Sequence, residues 1–104
     1  MTVYGDLKRP IGRGRYKVVA LLNETGPSSG AWTIDTGLDN IVGISVSPRT
    51  IPDADDTVYK ITYSISGGTV TVVVKSLATG GGGQSWADVT DKSGFAVDII
   101  AIGY

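Results

Sequence analysis

The sequence predicts a single all-β domain, built as one small antiparallel β-sandwich or β-barrel. Three observations support this class. Apolar and polar residues alternate over several short segments, which is the period of a half-buried strand. Glycine is abundant, with 15 residues in 104, and most glycines lie between apolar segments, where tight turns need them. No segment of helical length shows a 3.6-residue period with recognisable caps.

The first half of the chain is expected to contain three strands. Residues 15–22 (RYKVVALL) carry apolar side chains on both faces of the first. Residues 31–36 (AWTIDT) alternate strictly and form the second. Residues 40–47 (NIVGISVS) form the third, and the loop 23–30 (NETGPSSG) separates the first two. The side chains expected to point inward from the second and third strands are Trp32, Ile34, Val42, Ile44 and Val46.

Residues 48–56 (PRTIPDADD) are predicted to be a surface connection. They contain two prolines and three aspartates. A proline has no N–H to give to a central strand of a sheet, so this segment should end the third strand.

A long β-hairpin is the clearest local prediction. Residues 57–65 (TVYKITYSI) and 69–77 (TVTVVVKSL) are rich in β-branched and aromatic residues, and only Ser-Gly-Gly separates them. Apolar side chains alternate along both strands, so one row of each should face the core. These rows contain Tyr59, Ile61, Tyr63 and Ile65 in the first strand and Val70, Val72 and Val74 in the second.

The C-terminal part begins with a glycine-rich segment, residues 79–85 (TGGGGQS), which is expected to be flexible. Residues 85–88 (SWAD) form a short strand or turn, and residues 94–104 (GFAVDIIAIGY) form the last strand. If this last strand lies at a sheet edge, its unpaired backbone groups can pair with another subunit. This expectation makes Tyr104 a candidate contact residue.

The predicted domain occupies residues 15–104, preceded by an extended basic arm, residues 1–14. Between residues 6 and 17, five cations accompany one acid, although the chain as a whole has a net charge of −1. Such an arm can bind nucleic acid, an acidic partner or another subunit, or it can be solvated surface. Nucleic acid is the less favoured partner because the rest of the chain is acidic.

The composition argues against an enzyme. The chain has no cysteine and no histidine, which excludes disulfides, thiol nucleophiles and imidazole acid–base chemistry. No pair of carboxylates is selected by spacing, and neither glycine-rich stretch has the Lys and Ser/Thr of a phosphate-binding loop. We therefore expect no catalytic residue, no catalytic metal and no cofactor. Asp53, Asp55 and Asp56 could offer oxygen ligands to Ca²⁺, but a solvated loop is the favoured interpretation, since the EF-hand pattern is absent.

Two further features bear on partners and location. Trp86 follows the glycine run and is the aromatic residue most expected to be exposed, whereas Trp32 is expected in the core. An exposed tryptophan is typical of carbohydrate-binding β-sandwiches, so glycan binding stays an alternative. No apolar stretch is long enough for a membrane-spanning helix, and the N-terminus has no secretory signal, so folding in a cytoplasm without membrane contact is expected.

Several segments together resemble the small β-rich structural proteins of tailed bacteriophages, such as head-decoration, cement and fibre-type proteins. The resemblance lies in the start MTVYG, the hairpin TVYKITYSISGGTVTVVVK, the run Trp86-Ala87-Asp88-Val89-Thr90 and the ending FAVDIIAIGY. It implies a non-enzymatic virion protein, made in the host cytoplasm, that decorates or cements the head as a homo-oligomer, often a trimer. The alternative is a carbohydrate- or host-surface-binding module of a phage tail or fibre.

The residues expected to contact a neighbouring copy or the capsid lie in the arm and at two exposed aromatic positions. The arm is too rich in glycine, proline and cations to build its own core, so its apolar residues would be ordered by burial against a partner. The expected contact residues are Val3, Tyr4, Leu7, Ile11, Arg13, Arg15, Trp86 and Tyr104.

Overall fold

A computed structural model describes residues 2–6, 16–53, 56–79 and 85–104 of the chain. Within these ranges the regular structure consists of eight β-strands and no helix. The strands are β1 (Thr2–Asp6), β2 (Lys17–Thr25), β3 (Trp32–Asp35), β4 (Ile41–Thr50), β5 (Thr57–Ser66), β6 (Thr69–Ala78), β7 (Ala87–Asp88) and β8 (Ala96–Gly103). The predicted all-β class is confirmed.

The strands form two antiparallel sheets that pack together, an arrangement consistent with a β-sandwich. Sheet A has the strand order β1-β2-β8-β4. Sheet B has the order β3-β6-β5, and the short β7 also pairs with β6. Strand β8 pairs with β2 and with β4, both distant from it in sequence, so the middle of sheet A is held together by long-range pairing.

The core lies between the two sheets and is apolar. Each inward side chain that becomes fully buried contributes about 1.5–3 kcal/mol relative to remaining exposed. The buried hydrophobic side chains are Val19, Leu21, Ala96, Val97, Ile99 and Ala101 from sheet A, Trp32, Ile34, Val70, Val72 and Val74 from sheet B, and Leu38 and Phe95 beside them. The inward positions predicted for Trp32 and Ile34 are therefore confirmed.

Strand β4 differs from its prediction at both ends. Val42 was expected to face the core, but its side chain is 58% exposed. The pairing register with β8 shifts between Ile41 and Gly43, so Val42 is the extra residue of a β-bulge and the alternation changes there. Ile44 and Val46 pack against the core as predicted, and Ile41 does so in place of Val42.

The second difference is that β4 continues through the first proline of the predicted connection. Pro48 pairs with Val97 of β8, and the register shifts again between Pro48 and Thr50. The prediction that the strand ends before Pro48 is wrong. Proline is tolerated here because β4 is at one edge of the described sheet A, where one side of the backbone needs no partner strand.

The predicted hairpin is confirmed as β5 and β6, which pair from Thr57–Ala78 to Ser66–Thr69. The turn is tight, and Gly67 has φ of 59°, a conformation that favours glycine. Ile61 lies opposite Val74 and Tyr63 lies opposite Val72, so the apolar rows share the inner face as predicted.

The burial predicted for the distal half of β5 is wrong. Tyr63 is 43% exposed and Ile65 is 41% exposed, although their β6 partners Val72 and Val70 are buried. The cause is the strand order: β6 has neighbours on both sides, whereas β5, at the edge of sheet B, pairs on one side only with another strand of the described residues.

Strand β8 occupies the centre of sheet A. It pairs with β2 along one side and with β4 along the other. The expectation that the final strand offers a free edge to another subunit is therefore wrong. Its apolar sequence reflects a buried central position, since Val97, Ile99 and Ala101 are fully buried.

An ion pair on the outer face of sheet A joins its three longest strands. Asp98 of β8 accepts a hydrogen bond of 2.8 Å from the Arg49 Nε of β4 and one of 2.8 Å from the backbone N–H of Asn23 in β2. Asn23 sits in a bulge of β2 with a positive φ of 57°. The side-chain hydrogen bond from Arg49, followed by the backbone one from Asn23, lowers the pKa of Asp98.

Candidate interaction surface

The predicted contact residues do not form one cluster in the described part of the chain. Val3 and Tyr4 lie in β1, opposite Ala20 and Val19 of β2. Trp86 directly precedes β7 and Tyr104 directly follows β8, and both are exposed. Four predicted contact residues, Leu7, Ile11, Arg13 and Arg15, lie outside the described residues, as does the glycine run 80–83.

Strand β1 shows how part of the predicted arm is held. Its five residues pair antiparallel with β2, from Thr2–Leu21 to Asp6–Lys17. This pairing makes β1 an edge strand of sheet A, joined to β2 by residues 7–16. The arm thus contributes a strand to the sheet of its own chain.

The acidic loop considered as a cation site is only partly described. Asp53 and Asp56 are exposed, and Asp55 lies outside the described residues. The backbone carbonyl of Asp56 accepts a hydrogen bond of 2.8 Å from the N–H of Thr79. Across residues 16–53, 56–79 and 85–104, no three acidic side chains come together as a metal site would require.

Two open grooves flank strand β3. One, of about 400 Å³, lies between the end of β2 and β3, and its lining residues include Glu24 and Asp35. The other, of about 330 Å³, lies where β6 passes from pairing with β3 to pairing with β7. The aromatic side chain that lines both grooves is Trp32, which is 3% exposed, and Trp86 lines neither.

The second groove contains Lys92, a cation that is only 8% exposed. Its Nζ donates hydrogen bonds to the carbonyl oxygens of Gly30 at 2.9 Å and Thr90 at 3.3 Å. Its backbone N–H bonds to the carbonyl of Pro27 at 2.8 Å. Lys92 therefore links its own loop to the loop before β3. Because its ammonium group is hydrogen-bonded to backbone carbonyls, it can be buried in a purely structural role.

Trp86 lies beside β7 and over the outer face of sheet B. It is 39% exposed, and the Nζ of Lys60 on β5 is 4.7 Å from the centre of its ring. Lys75 and Asp88 form an ion pair of 3.1 Å on the same face. The cation above Trp86 occupies one side of the indole, which leaves less of the ring open to a stacking partner.

Tyr104 combines a fixed backbone with an open side chain. Its N–H bonds to the carbonyl of Asn40, and its own carbonyl accepts from the N–H groups of Asp39 and Asn40. The ring is 53% exposed and packs edge-on against Tyr16 at a centroid distance of 6.2 Å. This tyrosine pair is a partly exposed aromatic feature at one end of sheet A.

The feature that sequence reasoning missed is the outer edge of β5. Val58, Tyr63 and Ile65 are each more than 40% exposed. Among the described residues, β5 pairs with β6 alone, so ten residues of backbone have an open side. The alternation of apolar and polar residues predicted which face of β5 points inward. No local sequence pattern, however, indicates whether a strand is central or at the edge of its sheet.

No helix in the described part of the chain is long and apolar enough to cross a membrane. Comparisons of the chain with protein families, with curated proteins and with solved structures find no match.

Proposed function

We propose that the protein is a non-enzymatic structural component of a tailed-bacteriophage virion, a head-decoration or cement protein that acts by self-association and contact with the capsid. The observation that supports this role is the edge of β5, which among the described strands pairs with β6 alone and carries exposed apolar side chains, because long exposed edges pair with other chains. A protein that works by contact needs such surfaces and needs no reactive group. The phage assignment itself rests on the sequence resemblance.

The arm has a place in this proposal. Strand β1 lies at an edge of the other sheet, sheet A. A terminal strand joined to its sheet by a linker can pair with the same sheet of a neighbouring copy, which is a low-cost route to assembly. The apolar residues of segment 1–14 would then be buried between copies or against the capsid.

Glycan binding has weaker support. Sugar-binding β-sandwiches commonly use an exposed aromatic surface, yet neither groove beside β3 includes Trp86, and Lys60 already lies over that ring. Glycan recognition is therefore an alternative outcome of the test below.

Localisation in purified virions tests the proposal. We expect the chain in particles at a fixed copy number, and we expect cryo-electron microscopy to show its two sheets on the head surface. Added full-length protein should also bind particles that lack it, whereas a variant without residues 1–14 should bind more weakly. Circular dichroism of the truncated variant separates loss of contact from loss of folding.

Two results would contradict the proposal. One is absence of the chain from particles while it accumulates in the infected cell. The other is saturable quenching of Trp86 fluorescence by an oligosaccharide, measured in a Trp32→Phe background, together with no binding to particles.

A further inference from the structure

We propose that two copies of this chain pair through β5, antiparallel, about a twofold axis at Thr62. The inference deepens the self-association in the proposed function and rests on it, but it specifies the contact. It also fixes the occupant of the open edge as a second copy of the same strand.

The backbone of β5 determines which registers are possible. Ser66 and Thr69 flank the two-residue turn, so they are a hydrogen-bonded pair of the hairpin. Hydrogen bonding alternates along an antiparallel strand, so Thr62, like Ser66, directs its N–H and C=O toward β6. Ile61, Tyr63 and Ile65 direct theirs toward the open edge. A second β5 can therefore pair only in registers that match odd-numbered residues with odd-numbered residues.

One of these registers fits the side chains best. With Thr62 opposite Thr62, Tyr63 lies opposite Ile61 of the other copy, and Ile65 lies opposite Tyr59. Each exposed inner side chain thus meets a half-buried one, and both contacts pair an aromatic residue with a β-branched residue, a favourable cross-strand combination.

The outer face of β5 also fits this register. Lys60, the strand's charged residue, lies opposite Ser64, so the two cations of the pair do not face each other. If the twofold axis passed through Lys60, the two Lys60 ammonium groups would lie directly opposite each other. If it passed through Ile61, Ile65 would lie opposite the polar Thr57. A twofold pair is self-complementary, since each contact occurs twice.

Opposite charges at Thr62 give the sharpest test. We expect the wild-type chain to form a concentration-dependent dimer in sedimentation, and Thr62→Lys or Thr62→Glu alone to weaken it about fivefold or more, because like charges would lie directly opposite. An equimolar mixture of the two variants should form a heterodimer. Thr33→Lys makes the same change at an exposed position of β3 and should leave dimerisation unchanged.

A cysteine tests the axis directly. The chain has no cysteine, so a Thr62→Cys variant can form only an intermolecular disulfide. Non-hydrogen-bonded antiparallel pairs have Cα atoms about 4.5 Å apart, which a disulfide can span. We expect Thr62→Cys to cross-link under mild oxidation much faster than Thr33→Cys. Circular dichroism establishes that every variant is folded.

Three results would overturn the β5 contact: a wild-type monomer at all concentrations, a mixture of charge variants that stays monomeric, or equal cross-linking at positions 62 and 33. A trimer that no Thr62 variant affects also overturns it, while leaving the virion proposal standing. Conversely, a Thr62-dependent dimer that is absent from virions supports this contact and contradicts the proposed function.

Discussion

The Nζ of Lys92 donates a hydrogen bond of 2.9 Å to the carbonyl oxygen of Gly30, and this contact joins the loop before β8 to the loop before β3. Both loops close the same end of the sandwich. The backbone reinforces the connection, since Phe95 donates to the carbonyl of Lys92 and Lys92 donates to Pro27. A buried cation here acts as a donor to main-chain oxygens.

Replacing Lys92 by methionine should destabilise the fold by about 1–3 kcal/mol. The variant keeps an apolar stem but leaves the carbonyls of Gly30 and Thr90 without this donor. Urea unfolding followed by circular dichroism measures the change. Lys17→Met, at an exposed position, is the matched control and should have little effect; equal losses in both variants would contradict the structural role of Lys92.

Neighbouring isoleucines in β8 should respond very differently to truncation. Ile99 is fully buried, so Ile99→Ala should cost about 2–5 kcal/mol through lost burial and the cavity left behind. Ile100 is 48% exposed on the opposite face, so Ile100→Ala should cost less than about 1 kcal/mol. Chemical denaturation of both variants checks the difference, and similar costs would contradict the assigned faces of sheet A.

Substitution of two glycines by alanine should also have very different effects on stability. A Cβ at Gly68 would collide with the backbone carbonyl of Leu38, whereas a Cβ at Gly43 would meet no atom within 4 Å. We expect Gly68→Ala to lower the free energy of unfolding by about 1–3 kcal/mol, because the loop would have to move. Gly43→Ala should be nearly neutral. Thermal unfolding of the two variants measures this, and a neutral Gly68→Ala would contradict the loop position.

The Asp98 carboxylate should make stability depend on pH at the acidic end. Its pKa in the folded chain lies below the ordinary value of 3.8, chiefly because of the hydrogen bond from Arg49. A depressed pKa gives stabilisation that is complete above the unfolded pKa and is lost as the pH falls through the folded pKa. The stability difference between wild type and Asp98→Asn should therefore be constant near neutral pH and shrink below about pH 4.

Unfolding curves between pH 2 and pH 7 measure this difference. Arg49→Met should reduce the effect by removing the main cause of the low pKa. A difference that grows as the pH falls would contradict the assignment.

The sequence predicted those parts of the fold that depend on local patterns. Alternation located the hairpin of β5 and β6, and it placed Trp32, Ile34, Val72 and Val74 in the core. These residues lie in regular strands whose side chains simply alternate between the two faces. The prediction failed at Val42, where a β-bulge adds one residue and alternation no longer applies.

The order of the strands within each sheet could not be predicted from the sequence. The exposed edge of β5, the candidate contact surface, depends on that order. Tyr63 and Val72 face each other and have similar local patterns, yet one is exposed and the other is buried because β5 is at an edge and β6 is central. For the same reason β8 was predicted to be able to lie at a sheet edge, whereas it occupies the middle of sheet A. Trp86 was predicted to be exposed and is partly so, but the cation over its ring comes from Lys60, 26 positions earlier in the chain.

The central position of β8 has a consequence for synthesis on the ribosome. Strands β2 and β4 do not pair with each other, and both pair with β8, which emerges after them. Until residues 96–103 leave the exit tunnel, the strand that belongs between β2 and β4 is missing, and the apolar side chains of these two strands are exposed to water. The nascent hairpin of β5 and β6 can form early from local contacts, whereas sheet A closes late, which makes this stage the one at which chaperone binding would protect the chain from aggregation.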